Sequence, residues 1–293
     1  MPNWVTNRVV AKDFEVLKKS LLNELGEVDF NILIPHHEDL NITAGGIDYE
    51  HRLDFNPNES RLAFNRDVLN PYLDTMYNKR ISQNGFVKKA LKNLSDELRM
   101  KIAQAYDITR DDNEDDIAYK KEIDKWLDLI FRGYFNIQRY GYKNWYEANN
   151  VEWGTKWNAS ETYVFGNEIC FQTAWSTPLG IWKALSKLTD ITVAFADEDT
   201  GSNCGLVKFS NGEAISEFGR SDEAENLDED ERYLVDVGFA LAIAGSDVED
   251  YIDMYSDDEV EEDFNTDRAR AEAIMKKSYT ETKTVLVLNG FEM

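Results

Sequence analysis

Apolar positions alternate over residues 4–10 and predict a strand. Asp13 is placed to cap a helix whose Phe14, Leu17, Leu21, Leu22 and Leu25 share one face, with Gly26 as its stop. Residues 28–34 predict a second strand, ended by Pro35. From 38 to about 62 the pattern decays into Asn, Gly and Pro, which signals loop. Helical spacing then places Val87, Leu91, Leu94, Leu98, Ile102 and Ala105 on one face over 84–106. A second helix over 116–135 places Ile123, Trp126, Leu127, Ile130 and Phe131 together, and the acids of 111–116 suit its N-terminus. These two are expected to form an αα insertion.

Regular β signals return at Glu168, with Ile169, Phe171, Thr173 and Trp175 on one face. Thr177-Pro178 is expected to cap and open a helix carrying Leu179, Trp182, Leu185 and Leu188. Strands follow over 191–196 and 204–209, joined by a turn at 200–203. Asn211-Gly212 is a strong hairpin signal leading to a strand through Ile215 and Phe218. The resulting plan is α+β: a ferredoxin-like antiparallel sheet with helices on one face, interrupted by a helical insertion. Its expected division is a split core of 1–64 with 151–218, an insertion of 65–150, and an acidic, mainly helical region of 219–293 that ends in a strand.

Charge changes the picture in one place. Residues 217–263 carry nineteen acidic side chains against two basic ones, so −17 of the formal net charge of −24 lies there. So concentrated a field repels nucleic-acid phosphate and attracts basic protein surfaces, which points to binding rather than catalysis. Tyr233, Leu234, Val237, Phe239, Ala240, Leu241 and Ile243 are spaced as an apolar helix within it, and Tyr251, Ile252, Met254 and Tyr255 suggest another. Ordered helices with one solvated acidic face are therefore expected, then a helix over 267–277 and a strand over 284–288. The opposite sign gathers at 79–110, with eight basic residues and three acidic. This dipolar distribution argues against uniform salt adaptation and offers a basic face to an acidic face, either this chain's own or a neighbouring subunit's, the latter a head-to-tail route to a homo-oligomer.

Other chemistry is sparse. No apolar run approaches the roughly 20 residues of a membrane helix, and Met1-Pro2-Asn3-Trp4 lacks the charged and apolar regions of a secretory signal. Cys170 and Cys204 suit small core residues in a reducing compartment, so the cytoplasm is expected. His36-His37-Glu38-Asp39 gathers ligand types, with His51 elsewhere, but neighbouring side chains of an extended segment point opposite ways. The stretch from Asp197 to Asn203 has its Gly at position 5 and Lys208 at position 12 of a calcium loop, so a hairpin turn explains it better. With no phosphate loop, nucleophile elbow or zinc spacing, no catalytic residue, metal or cofactor is expected. Direct nucleic-acid binding would have to rest on the 79–110 cluster against a strongly negative whole.

Trp153-Gly154-Thr155-Lys156-Trp157-Asn158-Ala159 and Phe171-Gln172-Thr173-Ala174-Trp175-Ser176, with Met1-Pro2-Asn3-Trp4 and Asn7, form a set of short motifs. In this set the chain resembles the YubB-type ferredoxin-like family of phage and plasmid proteins, over roughly 1–35 and 145–218. Glu152 stands where that family has Asn, and Thr177 where it has a first Pro. The resemblance implies a mobile-element origin, a ferredoxin-like core and a bacterial host cytoplasm, and brings no established chemistry.

Two function classes follow. In the first, a non-enzymatic inhibitor presents Asp228, Glu229, Asp230 and Glu231 with Asp257, Asp258, Glu259, Glu261 and Glu262 to a basic host surface, such as a defence nuclease complex, in the manner of DNA. In the second, Trp153, Lys156, Trp157 and Trp175 wall a small-ligand or nucleotide pocket. The same tryptophans have the apolar area to cement the insertion onto the sheet instead, and a Lys stem can lie along apolar surface with its head in water.

Overall fold

In chain order the elements are β1 (Trp4–Ala11), α1 (Phe14–Leu21), α2 (Glu59–Phe64), α3 (Asn70–Asp74), α4 (Gln83–Asn93), α5 (Asp96–Ala105), α6 (Asp116–Tyr140) and α7 (Trp145–Ala148). There follow β2 (Ser160–Phe165), β3 (Glu168–Ala174), α8 (Leu179–Leu185), β4 (Ile191–Asp197), β5 (Gly205–Ser210), β6 (Glu213–Phe218), α9 (Glu229–Ala244), α10 (Val248–Asp253) and α11 (Arg268–Leu288). The computed structural model describes residues 2–45, 49–50, 57–110, 115–198, 203–218, 227–253 and 268–292. It divides into two compact units, Met1–Pro35 with Asn149–Met293, and His36–Ala148.

The first unit is built on an antiparallel sheet of order β2-β3-β1-β4-β5-β6. The sequence β1-α1-β2-β3-α8-β4 with spatial order β2-β3-β1-β4 is the ferredoxin-like arrangement, widened by the β5–β6 hairpin. The chain is thus an α+β protein. The second strand is not where the apolar run at 28–34 predicts it. Val28 makes only an isolated bridge to Leu22, and Phe30–Ile32 is a turn of 3-10 helix. There the Asp29 carboxylate accepts from the Asn31 N–H, and the Asn158 side chain takes the Phe30 N–H that a strand would have offered a neighbour. The strand role falls to β2, whose mostly exposed residues carry no burial pattern.

Alternation along the strands makes two apolar faces. Val9, Ile169, Phe171, Val193, Val207 and Phe209 pack under α1 and α8. Val10, Ala194, Ala196 and Leu206 point the other way and meet Phe239, Ala240 and Ile243 of α9 and Leu286 of α11. Helices therefore cover both faces rather than one. The opposite side of α9 (Leu234, Val237 and Leu241) packs on Val248, Ile252, Ala271 and Met275. Every residue of α9 from Leu234 to Ile243 is buried, which corrects the expectation of one solvated acidic face along this helix: apolar residues on every side need cover on every side. A Cβ on Gly238 would lie 2.4 Å from the Met275 carbonyl oxygen, so this glycine lets α9 and α11 approach closely.

The expected closing strand at 284–288 is also corrected, because those residues complete α11. Hydroxyls of Thr280, Thr282 and Thr284 donate to carbonyls one turn back. Past Leu288, the Gly290 N–H donates to the Val287 carbonyl and the Phe291 N–H to the Leu286 carbonyl, and Gly290 has φ +92°, a glycine-ended helix stop.

Arg8 fastens this covering layer to the sheet. Its Nε lies 2.7 Å from Glu168 Oε1 and its Nη2 3.0 Å from Oε2, with both side chains buried. It donates further to the carbonyls of Ile243 and Glu292, and the Glu292 N–H returns a bond to Glu168 Oε2 at 3.1 Å.

The unit His36–Ala148 has its own core, in which Phe86, Phe135, Tyr134 and Tyr77 meet ring to ring. The helix expected over 84–106 is two helices, because Leu94 is extended and Ser95 caps α5. α6 runs five residues past its expected end, to Tyr140, where Gly141 stops it at φ +84°. Gln83 and Asn136 bond each other at 2.7 Å, and both donate to the Asp39 carbonyl.

Candidate functional site

The tryptophan motif begins in a π-helical turn, Asn149–Trp153, closed by the Gly154 N–H on the Asn149 carbonyl. Trp153 is buried edge-on to Phe30 at 5.5 Å, and its ring N–H donates to the Ile34 carbonyl at 3.0 Å. Gly154 has φ +84°, and a Cβ on Gly180 would come within 1.9 Å of the Glu152 carbonyl oxygen, so the start of α8 lies flush on the turn. Thr155 donates to the Ala174 carbonyl, and Ser176 to the Gly154 carbonyl. Asn158 ties the motif to Asp29. Burial pushes the Asp29 carboxyl up, but hydrogen bonds from Asn158 and Asn31 outweigh it and hold it below the usual carboxylate range.

The four candidate pocket residues are therefore not equivalent. Trp153 belongs to the core. Lys156 and Trp157 lie together near the surface, the ammonium 4.6 Å from the ring centroid, and Trp157 leans on Trp4 at 6.2 Å. Trp175 sits just past β3 rather than on its buried face. It is 54% exposed with φ +71°, a backbone region costly for a bulky side chain. Its backbone is held on both sides, by the Asn3 carbonyl and the Asn203 side chain.

The remaining motif residues form one buried chain that sequence reasoning missed. Asn7 donates to Thr173 Oγ1 at 2.8 Å, Thr177 donates to Asn7 Oδ1 at 2.7 Å, and the Trp182 ring N–H donates to Thr177 Oγ1 at 2.8 Å. Thr177 thus serves the core instead of capping α8, whose cap position is Pro178 without a side-chain bond. Leu179 and Leu188, expected on the buried face of that helix, are exposed.

The acidic candidates also separate. Asp228 caps α9 by accepting from the Glu231 N–H at 2.9 Å, and Glu229 is exposed. Glu231 is only 3% exposed and pairs with Arg270. The side chain of Asp230, and Asp257, Asp258, Glu259, Glu261 and Glu262, lie outside the described residues. Beyond α9, Asp247, Glu249, Asp250 and Asp253 are exposed. Of these, Glu249 meets Lys276 at 2.8 Å and Asp253 meets Arg268 at 3.8 Å. α11 therefore supplies basic partners for part of the acidic segment. In the other unit Arg99 is likewise buried against Asp124 and Asp96, and Lys101 pairs with Glu97.

Among the described residues no group of three or more His, Cys, Asp or Glu could hold a metal ion. His37 accepts from the Asp39 N–H and stacks on Tyr140 at 4.8 Å; His51 and 199–202 lie outside the described residues. Burial pushes the Cys170 thiol up to about 11 and the Cys204 thiol up to about 12, so both stay protonated at neutral pH and are poor nucleophiles. No helix among the described residues is long and apolar enough to cross a membrane.

Residues 152–237 match the family model of the ferredoxin-like domain in Api92-like protein. That stretch runs from the tryptophan motif through β2–β6 into α9, and it is what this part of the chain is similar to. No curated protein and no solved structure matches the chain.

Proposed function

We propose that this chain is a non-enzymatic interaction protein of phage or mobile-element origin. Its acidic surface engages the basic nucleic-acid-binding surface of a host protein, such as a defence nuclease complex, in the bacterial cytoplasm. One observation carries the reading: α9 sinks its apolar residues into the sheet on one side and into α10 and α11 on the other. Asp228 and Glu229 at its start, and Asp247, Asp250 and Asp253 beyond its end, are thereby displayed on a packed scaffold. Carboxylates held in place lose less freedom on binding than carboxylates on a loose tail, and complementary charge speeds encounter. The YubB-type resemblance supports the mobile-element origin.

The test is recovery of the partner from bacterial lysate at low and high salt, with wild type and two variants. One is Asp228→Asn/Glu229→Gln. The other neutralises Asp257, Asp258, Glu259, Glu261 and Glu262. Glu231 is left intact because it is an internal partner of Arg270. The expected result is one nucleic-acid-processing complex, lost as salt rises and weakened in the variants without loss of thermal stability. Unchanged affinity and salt dependence in both variants would remove the acidic surface from the interface. Binding would then pass to the ledge of Lys156, Trp157 and the half-exposed, left-handed Trp175, a small-ligand or nucleotide site.

A further inference from the structure

At the end of the sheet opposite Trp4, the strand register sets Val10, Thr192 and Lys208 side by side across β1, β4 and β5. Directly paired residues share a face, and Val10 belongs to the face covered by α9 and α11. The cover reaches Val10 but leaves Thr192 half-buried and Lys208 exposed, since α11 ends at Leu288 and Gly290 turns the chain. A cavity of about 450 Å³ lies here, and Val10, Thr192, Asn167 and Asn289 are among the residues that line it. Ile215 closes one side. Pairing jumps from Lys208–Ser216 to Phe209–Ala214, so Ile215 is bulged out of register and stands 64% exposed.

Lys12 and Lys208 both line this cavity. A neighbouring hollow of about 600 Å³ shares Lys12 and adds Lys187. In a chain with 56 acids and 32 bases, lysines should find carboxylates readily. Yet these three side chains make no hydrogen bond or ion pair among the described residues. Asp190 also lines the cavity, where its carboxylate accepts the Ser210 hydroxyl at 2.6 Å, so Lys12 and Lys208 against Asp190 leave the formal charge of this lining net positive by one. Of the acids by the neighbouring hollow, Asp13 caps α1 and Glu15 meets Lys18 at 2.6 Å. The chain's overall negative field reaches only about 8 Å at physiological salt, so local charge decides what enters.

We propose that this cavity binds a phosphorylated small molecule. Lys12 and Lys208 hold the phosphate, Asn167, Thr192 and Asn289 offer polar contacts, and Ile215 covers an apolar body. The volume suits a small ligand, and ammonium groups bind phosphate as point charges. The site is separate from the acidic surface and stands whether or not that surface binds a protein.

Calorimetric titration of the intact chain with pyrophosphate and with adenosine 5′-monophosphate, adenosine serving as the neutral control, tests it. Both phosphates should titrate saturably and adenosine should not. Lys12→Met and Lys208→Met should each weaken binding by about ten- to a hundredfold, the loss of a charge-assisted hydrogen bond. Both variants should keep the parent melting temperature, since neither lysine supports the fold through a partner. The proposal is overturned if neither phosphate saturates up to millimolar concentration, if adenosine binds as well as its monophosphate, or if both variants bind like the parent.

Discussion

Arg8 and Glu168 are the residues on which the second face of the sheet turns. The pair is buried and bidentate, and its remaining donors reach the end of α9 and the residue after Phe291. Removing one partner of such a pair strands a charge in a low dielectric, whereas removing both leaves a merely apolar gap. Arg8→Met should therefore cost about 3–5 kcal/mol in urea unfolding. Arg8→Met/Glu168→Leu should recover a large part of that loss. A double variant no more stable than the single would show that the bonds to the helix ends, not the stranded carboxylate, carry the effect. Neither residue stands out in the sequence, because a charged residue at an alternating strand position looks like a solvent-facing one. Asn7, Thr173 and Thr177 were visible only as motif letters, since a bond between positions 7 and 177 has no local signature.

At the level of elements, apolar spacing located β1, α1, β3, α8, β4 and β5, and the Asn211-Gly212 turn located the hairpin to β6. Spacing failed where burial and periodicity part. β2 is an exposed edge strand with no apolar rhythm, while 28–34 has the rhythm but gives the N–H groups of Val28, Phe30 and Asn31 to side chains and those of Ile32 to Ile34 to a local turn. The Thr-Val-Leu-Val-Leu run of 284–288 has the β-branched composition of a strand, yet Ala271, Met275, Ser278, Thr282 and Leu286 recur at helical spacing on the buried face of α11. Of the candidate pocket, the sequence showed the tryptophans together but not that Trp153 faces inward while Trp175 faces out. The α9–α11 contact gives this level its test. Gly238→Ala puts a methyl group 2.4 Å from the Met275 carbonyl, so the helices must separate. About 1–3 kcal/mol of overpacking is expected, along with faster amide exchange through α11. Wild-type stability and exchange would mean that the two helices have slack between them.

For the whole molecule, a net charge of −24 is a standing repulsion. Raising salt from about 10 mM to about 150 mM shortens the screening length from about 30 Å to about 8 Å. The melting temperature should rise over that range, and a flat or falling profile would show the carboxylates to be neutralised internally. The lysine-lined cavity was out of reach of sequence reasoning, because its walls come from β1, β4, β5, β6 and the end of α11, strung over nearly the full chain. The same long connections have a consequence during synthesis. Val5 pairs with Thr173 on one side and Asp197 on the other. At ribosomal speeds β1 therefore waits on the order of ten to thirty seconds for its neighbours. Throughout that interval a valine-rich strand has both edges open while the following segment, His36–Ala148, holds all of its own core residues within itself. Nascent chains of this protein should thus be most vulnerable to aggregation, and most dependent on chaperones, after the middle segment has emerged and before Asp197 does.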